Sequence, residues 1–280
     1  MSLPLRVRIS FLVSLVMLLS ASGSVRAELR LEQLREDNWD ALAPHGKEVD
    51  AIYGDYALQN DHLIVIIGQP IPTRNANMTV GNVGGAVIDI TTRSAPNDQL
   101  SAFYPGGGNY KFHDPDKVQI ARTANRVTLT IEATTPAGSP KLSVRYSLGE
   151  EDVALRVESL LANSSDSTVE MDVRDMVRAD STFKFGSTGA GKLFWAHDEW
   201  FHQALGIFAT DAVLSHTGNR GVVVSYEFGG DKKLRLKPGQ FRAVVRHLLP
   251  GRHRLAVIGD AQRLSGVEVH TATFTVQDSN

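Results

Sequence analysis

Between residues 118 and 175 every second side chain tends to be apolar. Val127, Leu129 and Ile131 alternate with Thr128, Thr130 and Glu132, and Leu142, Val144 and Tyr146 with Ser143, Arg145 and Ser147. Val153, Leu155 and Val157 alternate with Ala154, Arg156 and Glu158, and Val169, Met171 and Val173 with Glu170, Asp172 and Arg174. A period of two is that of a strand with one buried face, so these runs predict four half-buried strands. The breaks at 136–140, 149–152 and 163–167 then predict an antiparallel meander. Its polar face gathers Glu132, Arg145, Arg156, Glu158, Glu170, Asp172 and Arg174, whose opposite signs can pair across neighbouring strands. That face is either a solvated surface or the floor of a groove.

Before the meander, Leu31, Leu34, Trp39 and Leu42 recur at helical spacing and predict one short amphipathic helix within Leu29–Leu42, ending before Pro44. Tyr56–Gln59 and His62–Gly68 predict a hairpin turning at Asn60-Asp61, and Val87–Thr92 a further strand. Pro105-Gly106-Gly107-Gly108 marks a loop. After the meander, strands are expected at Val222–Phe228, Phe241–Leu249, Arg252–Ile258 and Val267–Gln277, with glycine- and proline-containing turns between them. Many short strands at this spacing predict an all-β, mainly antiparallel sandwich or barrel with one short N-terminal helix.

The first 27 residues read differently. Basic Arg6 and Arg8 precede an apolar run from Ile9 to Leu19, and Val25 and Ala27 supply the small side chains of a signal-peptidase site. The run falls short of the roughly 20 residues needed to span a bilayer, so residues 1–27 are expected to be a cleaved export signal and the protein secreted or periplasmic, off the membrane after cleavage. Residues 28–259 are expected to form one β-domain, and 260–280 a C-terminal strand that could open a following module. Losing Arg6, Arg8 and Arg26 takes the net charge from −2 to about −5, and no basic stripe points to nucleic acid. The chain has no cysteine, so its stability must come from burial and not from disulfides.

Candidate chemistry concentrates between Phe183 and Phe208, which hold seven of the 20 aromatic residues together with His197, Asp198, Glu199 and His202. Such a mixture either closes a core or lines a ligand cleft. His197 and His202 with Glu199 are the candidate acid and base for chemistry on a sugar. A metal site there would need a third ligand from His113, Asp175 or Asp180, and the spacing is not that of a zinc protease. Gly186-Ser187-Thr188-Gly189-Ala190-Gly191-Lys192 starts like a phosphate-binding loop but puts Leu193 where Ser or Thr belongs and precedes no helix. It is expected to be a glycine-rich hairpin with Lys192 in solvent. No cofactor and no metal are expected.

Trp195, Trp200, Asp172, Arg174, Asp175 and Asp180 are candidate contacts for a polyhydroxylated ligand, through ring stacking and charge-assisted hydrogen bonds. Arg74, Asn75 and Asn77 are either further ligand contacts or a structured loop.

Gly54-Asp55-Tyr56-Ala57-Leu58, Arg74-Asn75-Ala76-Asn77-Met78-Thr79-Val80 and Gly84-Gly85-Ala86-Val87-Ile88-Asp89-Ile90 resemble the N-terminal region of large exported bacterial proteins. There a β-sandwich precedes a carboxypeptidase-regulatory-like module and, in some, a PHP-type metallohydrolase domain. The run from Leu129 to Asp175 is similar in style to galactose-mutarotase-like supersandwich domains. The resemblance implies a supersandwich with a carbohydrate-binding or structural accessory role, accompanied by carbohydrate or other extracytoplasmic modules as partners. No His-x-His pair occurs and no mutarotase acid/base motif matches, so neither activity carries over. The alternative is a sugar-active enzyme, an epimerase, lyase or hydrolase, working through the 197–202 cluster.

Overall fold

A computed structural model of the protein describes residues 28–46, 49–97, 100–188 and 190–269. The chain builds two large antiparallel sheets by passing back and forth between them. The first pass lays down β1 (Arg30–Gln33), the four-residue helix α1 (Trp39–Leu42), β2 (Tyr56–Gln59), β3 (Leu63–Ile67), β4 (Val87–Thr92) and β5 (Leu100–Tyr104), all in sheet one. The chain then crosses to sheet two for β6 (Val118–Arg122), β7 (Arg126–Glu132), β8 (Lys141–Gly149) and β9 (Leu155–Ala162). After the short β10 (Val169–Met171) it returns to sheet one as β11 (Val173–Ala179), and it re-enters sheet two as β12 (Lys184–Thr188), β13 (Leu193–Asp198) and β14 (Gln203–Phe208). β15 (Val213–Thr217) and β16 (Gly221–Glu227) complete sheet one. β17 (Leu234–Leu236) pairs with β10, β18 (Phe241–Gly251) completes sheet two, and helix α2 (Arg254–Leu264) follows.

Sheet one runs β1-β2-β3-β4-β5-β11-β16-β15 and sheet two β12-β13-β14-β18-β9-β8-β7-β6. Their inner faces share one apolar core, to which Leu58, Val65, Phe103 and Val224 contribute from sheet one and Leu129, Val144, Val157 and Leu248 from sheet two. Separate apolar clusters cover part of each outer face: Leu34 and Leu42 pack with Ile66 and Ile88 outside sheet one, and α2 packs outside sheet two. Among the described residues no helix is long and apolar enough to cross a membrane.

The architecture is the expected all-β sandwich, with five local corrections. The helix expected over Leu29–Leu42 survives only as α1, because Leu31 pairs with Leu58 as part of β1. The meander closes after its third predicted strand. The free side of β9 is taken by β18, the longest strand among the described residues, and the fourth predicted strand splits: Val169–Met171 is β10, paired with β17, and from Val173 the chain crosses to sheet one as β11, between β5 and β16. The strand expected at Arg252–Ile258 is helical: the His253 imidazole accepts a hydrogen bond from the Ala256 amide at 3.2 Å, and Val257 and Ala261, four apart, both face the sheet. That helix runs through the 259–260 boundary, and of the strand expected at Val267–Gln277, residues 267–269 form no strand and the rest lies outside the described residues. Lys192 is not in open solvent, since its ammonium donates to the carbonyls of Thr210 and Ala212. The polar side of the meander is charge-paired: Arg145, opposite Glu158 in the ladder, donates to it at 3.2 Å, and Arg156 at 2.5 Å.

Candidate functional site

The alternation of β11 turns Val173, Asp175, Val177 and Ala179 toward the core, so a carboxylate occupies a position where its neighbours are apolar. Asp175 is 2% exposed. A buried charge requires a partner, and it comes from the opposite sheet. On β18 the inward phase is Val244, Arg246 and Leu248, and Arg246 donates from Nη2 to Asp175 Oδ1 at 2.9 Å. Its Nε lies 2.8 Å from Oδ2, in ion-pair contact but misaligned for a hydrogen bond. Tyr226 on β16, in phase with Val222 and Val224, donates its hydroxyl to Oδ2 at 2.6 Å, and the Gly106 amide reaches Oδ1 at 3.0 Å. Arg246 also donates to Ser159 Oγ at 2.8 Å and to the Val244 carbonyl, and its guanidinium lies 5.5 Å from the Phe103 ring centre.

Burial, and next to it the Asp175 carboxylate, hold the Tyr226 phenol well above its usual pKa, so it remains a donor. Burial works against the charge on Arg246, but Asp175, with Tyr226 and Tyr146, more than offsets it and raises the pKa. Tyr146, fully buried nearby, is raised by burial and donates to the Gly85 carbonyl.

This network forms part of the wall of a cavity of about 200 Å3 between the two sheets. Toward solvent the cavity is bordered by Asn109, Ser139, Asp172 and Arg174. The loop 105–108 closes over it with left-handed backbone at Gly106 and Gly107. A Cβ at Gly106 would lie 2.7 Å from the Tyr110 ring and one at Gly107 2.8 Å from Arg174 Cγ, so both positions need glycine. Three hydrogen-bond donors and the ion-pair contact of Arg246 Nε hold both oxygens of Asp175, and its role is to hold the frame. The side chains of Asp172 and Arg174 make no hydrogen bond among the described residues and are available to a ligand.

Of the residues singled out in the sequence, Asp172, Arg174 and Asp175 thus come together at one cavity. The others lie elsewhere. Trp195 and His197 project from the outer face of sheet two, where the Arg254 guanidinium sits 5.6 Å from the Trp195 ring centre. Burial lowers the pKa of His197 against the pull of Glu199. Glu199 is exposed and pairs with Lys184 at 2.8 Å, which lowers its pKa, and His202 and Trp200 are exposed in the β13–β14 turn, His202 with left-handed backbone and Trp200 at 83% exposure. Asp198 caps that turn by accepting from the Trp200 and Phe201 amides. Phe185 and Phe194 stack in the core, 6.2 Å apart. Asp180 is half-buried in the turn before β12, where its carbonyl accepts from the Phe183 amide.

Arg74 is buried and bidentate to Asp55, at 2.9 and 2.6 Å, and donates to the Asp50 carbonyl. Asn75 accepts from the Asn82 amide, and Asn77 from the amides of Thr79 and Val80. These three build a loop and do not line the cavity. Among the described residues no three His, Asp or Glu side chains gather to hold a metal ion, His113 included.

Sequence reasoning missed Arg246, Tyr226 and Ser159. The available signal was a polar group in phase with buried apolar neighbours, as in Val244-x-Arg246-x-Leu248 and Val222-x-Val224-x-Tyr226.

No protein-family model matches the sequence, and no curated protein matches it. Among solved structures, a TPR-domain containing protein from Parabacteroides distasonis ATCC 8503 is 14% identical with a TM-score of 0.55. The match covers 80% of this chain and 50% of that one, so the chain spans half of that protein's length. A galactose mutarotase-like protein from Lactobacillus casei ATCC 334 is 8% identical, with a TM-score of 0.44 over 70% of this chain and 100% of that one. A putative aldose 1-epimerase from Escherichia coli K12 is 9% identical, with a TM-score of 0.44 over 70% of this chain and 98% of that one. At 14% identity, the similarity to the first of these is one of fold alone.

Proposed function

We propose that this chain is an exported β-sandwich module that recognises a small polyhydroxylated ligand, a carbohydrate, in the cavity between its sheets and does not transform it. The observation that carries this reading is the cavity itself, with a preorganised Asp175–Arg246–Tyr226 network in its wall and unpaired Asp172 and Arg174 at its mouth. Hydroxyl groups suit such a site, because each can donate to Asp172 and accept from Arg174. At 200 Å3 the cavity is smaller than the roughly 300–1,000 Å3 of drug-sized pockets, which limits the occupant to about one sugar ring. Support for binding over catalysis comes from Asp175, whose two oxygens are already held by Arg246, Tyr226 and the Gly106 amide, and from Glu199, which is tied to Lys184 on an exposed surface. Export rests on the pattern of residues 1–27.

A glycan array followed by titration calorimetry with the monosaccharides retained tests the proposal. Asp172→Ala with Arg174→Ala removes two surface charges without touching the buried network and is expected to weaken binding about tenfold or more. Absence of binding to any glycan, or binding indifferent to both substitutions, overturns it.

A further inference from the structure

We propose that β6 joins two copies of this chain edge to edge, extending sheet two across a two-fold axis. An edge strand offers a row of backbone donors and acceptors to any passing strand, and natural sandwiches block that row with charges, loops or side chains. Three of the four outer strands of the large sheets are blocked in this way. β1 carries Arg30 and Glu32, and its Leu31 carbonyl accepts from the Arg122 guanidinium. β15 is met by the Ala190–Lys192 turn, whose Gly191 carbonyl accepts from the Leu214 amide at 2.6 Å. β12 carries the charged Lys184, paired with Glu199, and its Gly186 lies under the Trp195 indole on the outer face of the sheet.

β6 has no such cover. Its sequence is Val118-Gln119-Ile120-Ala121-Arg122, with its one charge at the end and already turned to Leu31. Residues 119–122 are exposed, and Ile120 is 46% exposed. Among the described residues nothing but β7 is hydrogen-bonded to its backbone. Beneath it lies an open groove of about 470 Å3, in which Leu31, Tyr56, Val118 and Ile120 form an apolar strip beside the charged Glu32, Arg35 and Arg122.

The five-residue strand is complementary to itself. Antiparallel pairing centred on Ile120 sets Ile120 against its own copy, Gln119 against Ala121 and Val118 against Arg122, so no charge meets its like. The contact is isologous and closes at two copies. A second copy brings both the complementary strand and its own Ile120 to this edge, which makes it a better occupant than an unrelated extended peptide.

The absence of cysteine gives a direct test. Sedimentation velocity of the purified protein is expected to show a concentration-dependent dimer, and Ile120→Cys to be captured as a covalent dimer on mild oxidation or with a short bismaleimide, since directly opposed residues in a ladder lie within reach. Val213→Cys, on β15 at the edge of sheet one, is expected to stay monomeric under the same treatment. Ile120→Lys, with its circular dichroism unchanged, is expected to raise the dimer dissociation constant by about tenfold or more. A wild-type protein that is monomeric up to its solubility limit, a dimer captured through Val213→Cys but not Ile120→Cys, or a dimer indifferent to Ile120→Lys overturns the proposal. If Ile120→Lys fails to fold, the cross-linking pair decides.

Discussion

Arg246 and Asp175 stand on different sheets and are each almost wholly removed from water, so neither tolerates the loss of the other. Arg246→Met alone leaves a carboxylate in the core and is expected to cost about 3–5 kcal/mol, which lowers the midpoint of thermal unfolding by about 6–20 °C. Asp175→Leu combined with Arg246→Met removes both charges and should recover most of that loss. Urea unfolding of the two single variants and the double variant checks both statements, and additive losses would show that the pair does not act as a unit. His247, next to Arg246 on β18, is a half-buried titratable group. Burial, reinforced by the positive charges of Arg156 and Arg126, lowers its pKa below the usual value near 6.5. The unfolded chain therefore takes up a proton before the folded one does, so stability present above about pH 6.5 falls as the pH drops from there toward the folded-state pKa. His247→Gln should flatten that part of the stability curve, read as unfolding midpoints between pH 7.5 and pH 5. At this scale the sequence was half legible. Asp175 drew notice because it stands in a charged stretch, but Arg246 and Tyr226 sit among ordinary strand residues. Only knowledge of which phase faces inward would have exposed them.

Elements were readable where one face is wet. β7, β8 and β9 alternate cleanly because only one side of that part of sheet two is packed. The signal vanishes in β14, where all six residues are buried because α2 covers the outer face. α2 itself was misread because Leu255-Ala256-Val257-Ile258 is too short an apolar run to separate helix from strand, and the His253 cap is an uncommon one. β1 was lost for the same reason, since four residues carry almost no period. The seat of α2 depends on Gly206, where an added Cβ would lie 2.3 Å from Val257 Cγ1. Gly206→Ala is expected to destabilise the protein by about 1–3 kcal/mol through overpacking. Hydrogen exchange should rise first in 254–264, and uniform acceleration across both sheets would contradict that account.

At the scale of the molecule, periodicity says that strands exist but not which sheet each one joins. β11 continues the meander in sequence and leaves it in space, and that single departure brings Asp175 to Arg246 and opens the cavity between the layers. The candidate site is thus a product of topology, assembled from β9, β11, β16 and β18, and no local stretch carries it. The same path has a mechanical consequence. Because the backbone passes from one layer to the other several times, a single cut anywhere between β6 and β16 frees neither: each fragment keeps threads in both layers, and a molecule clipped there stays laced together.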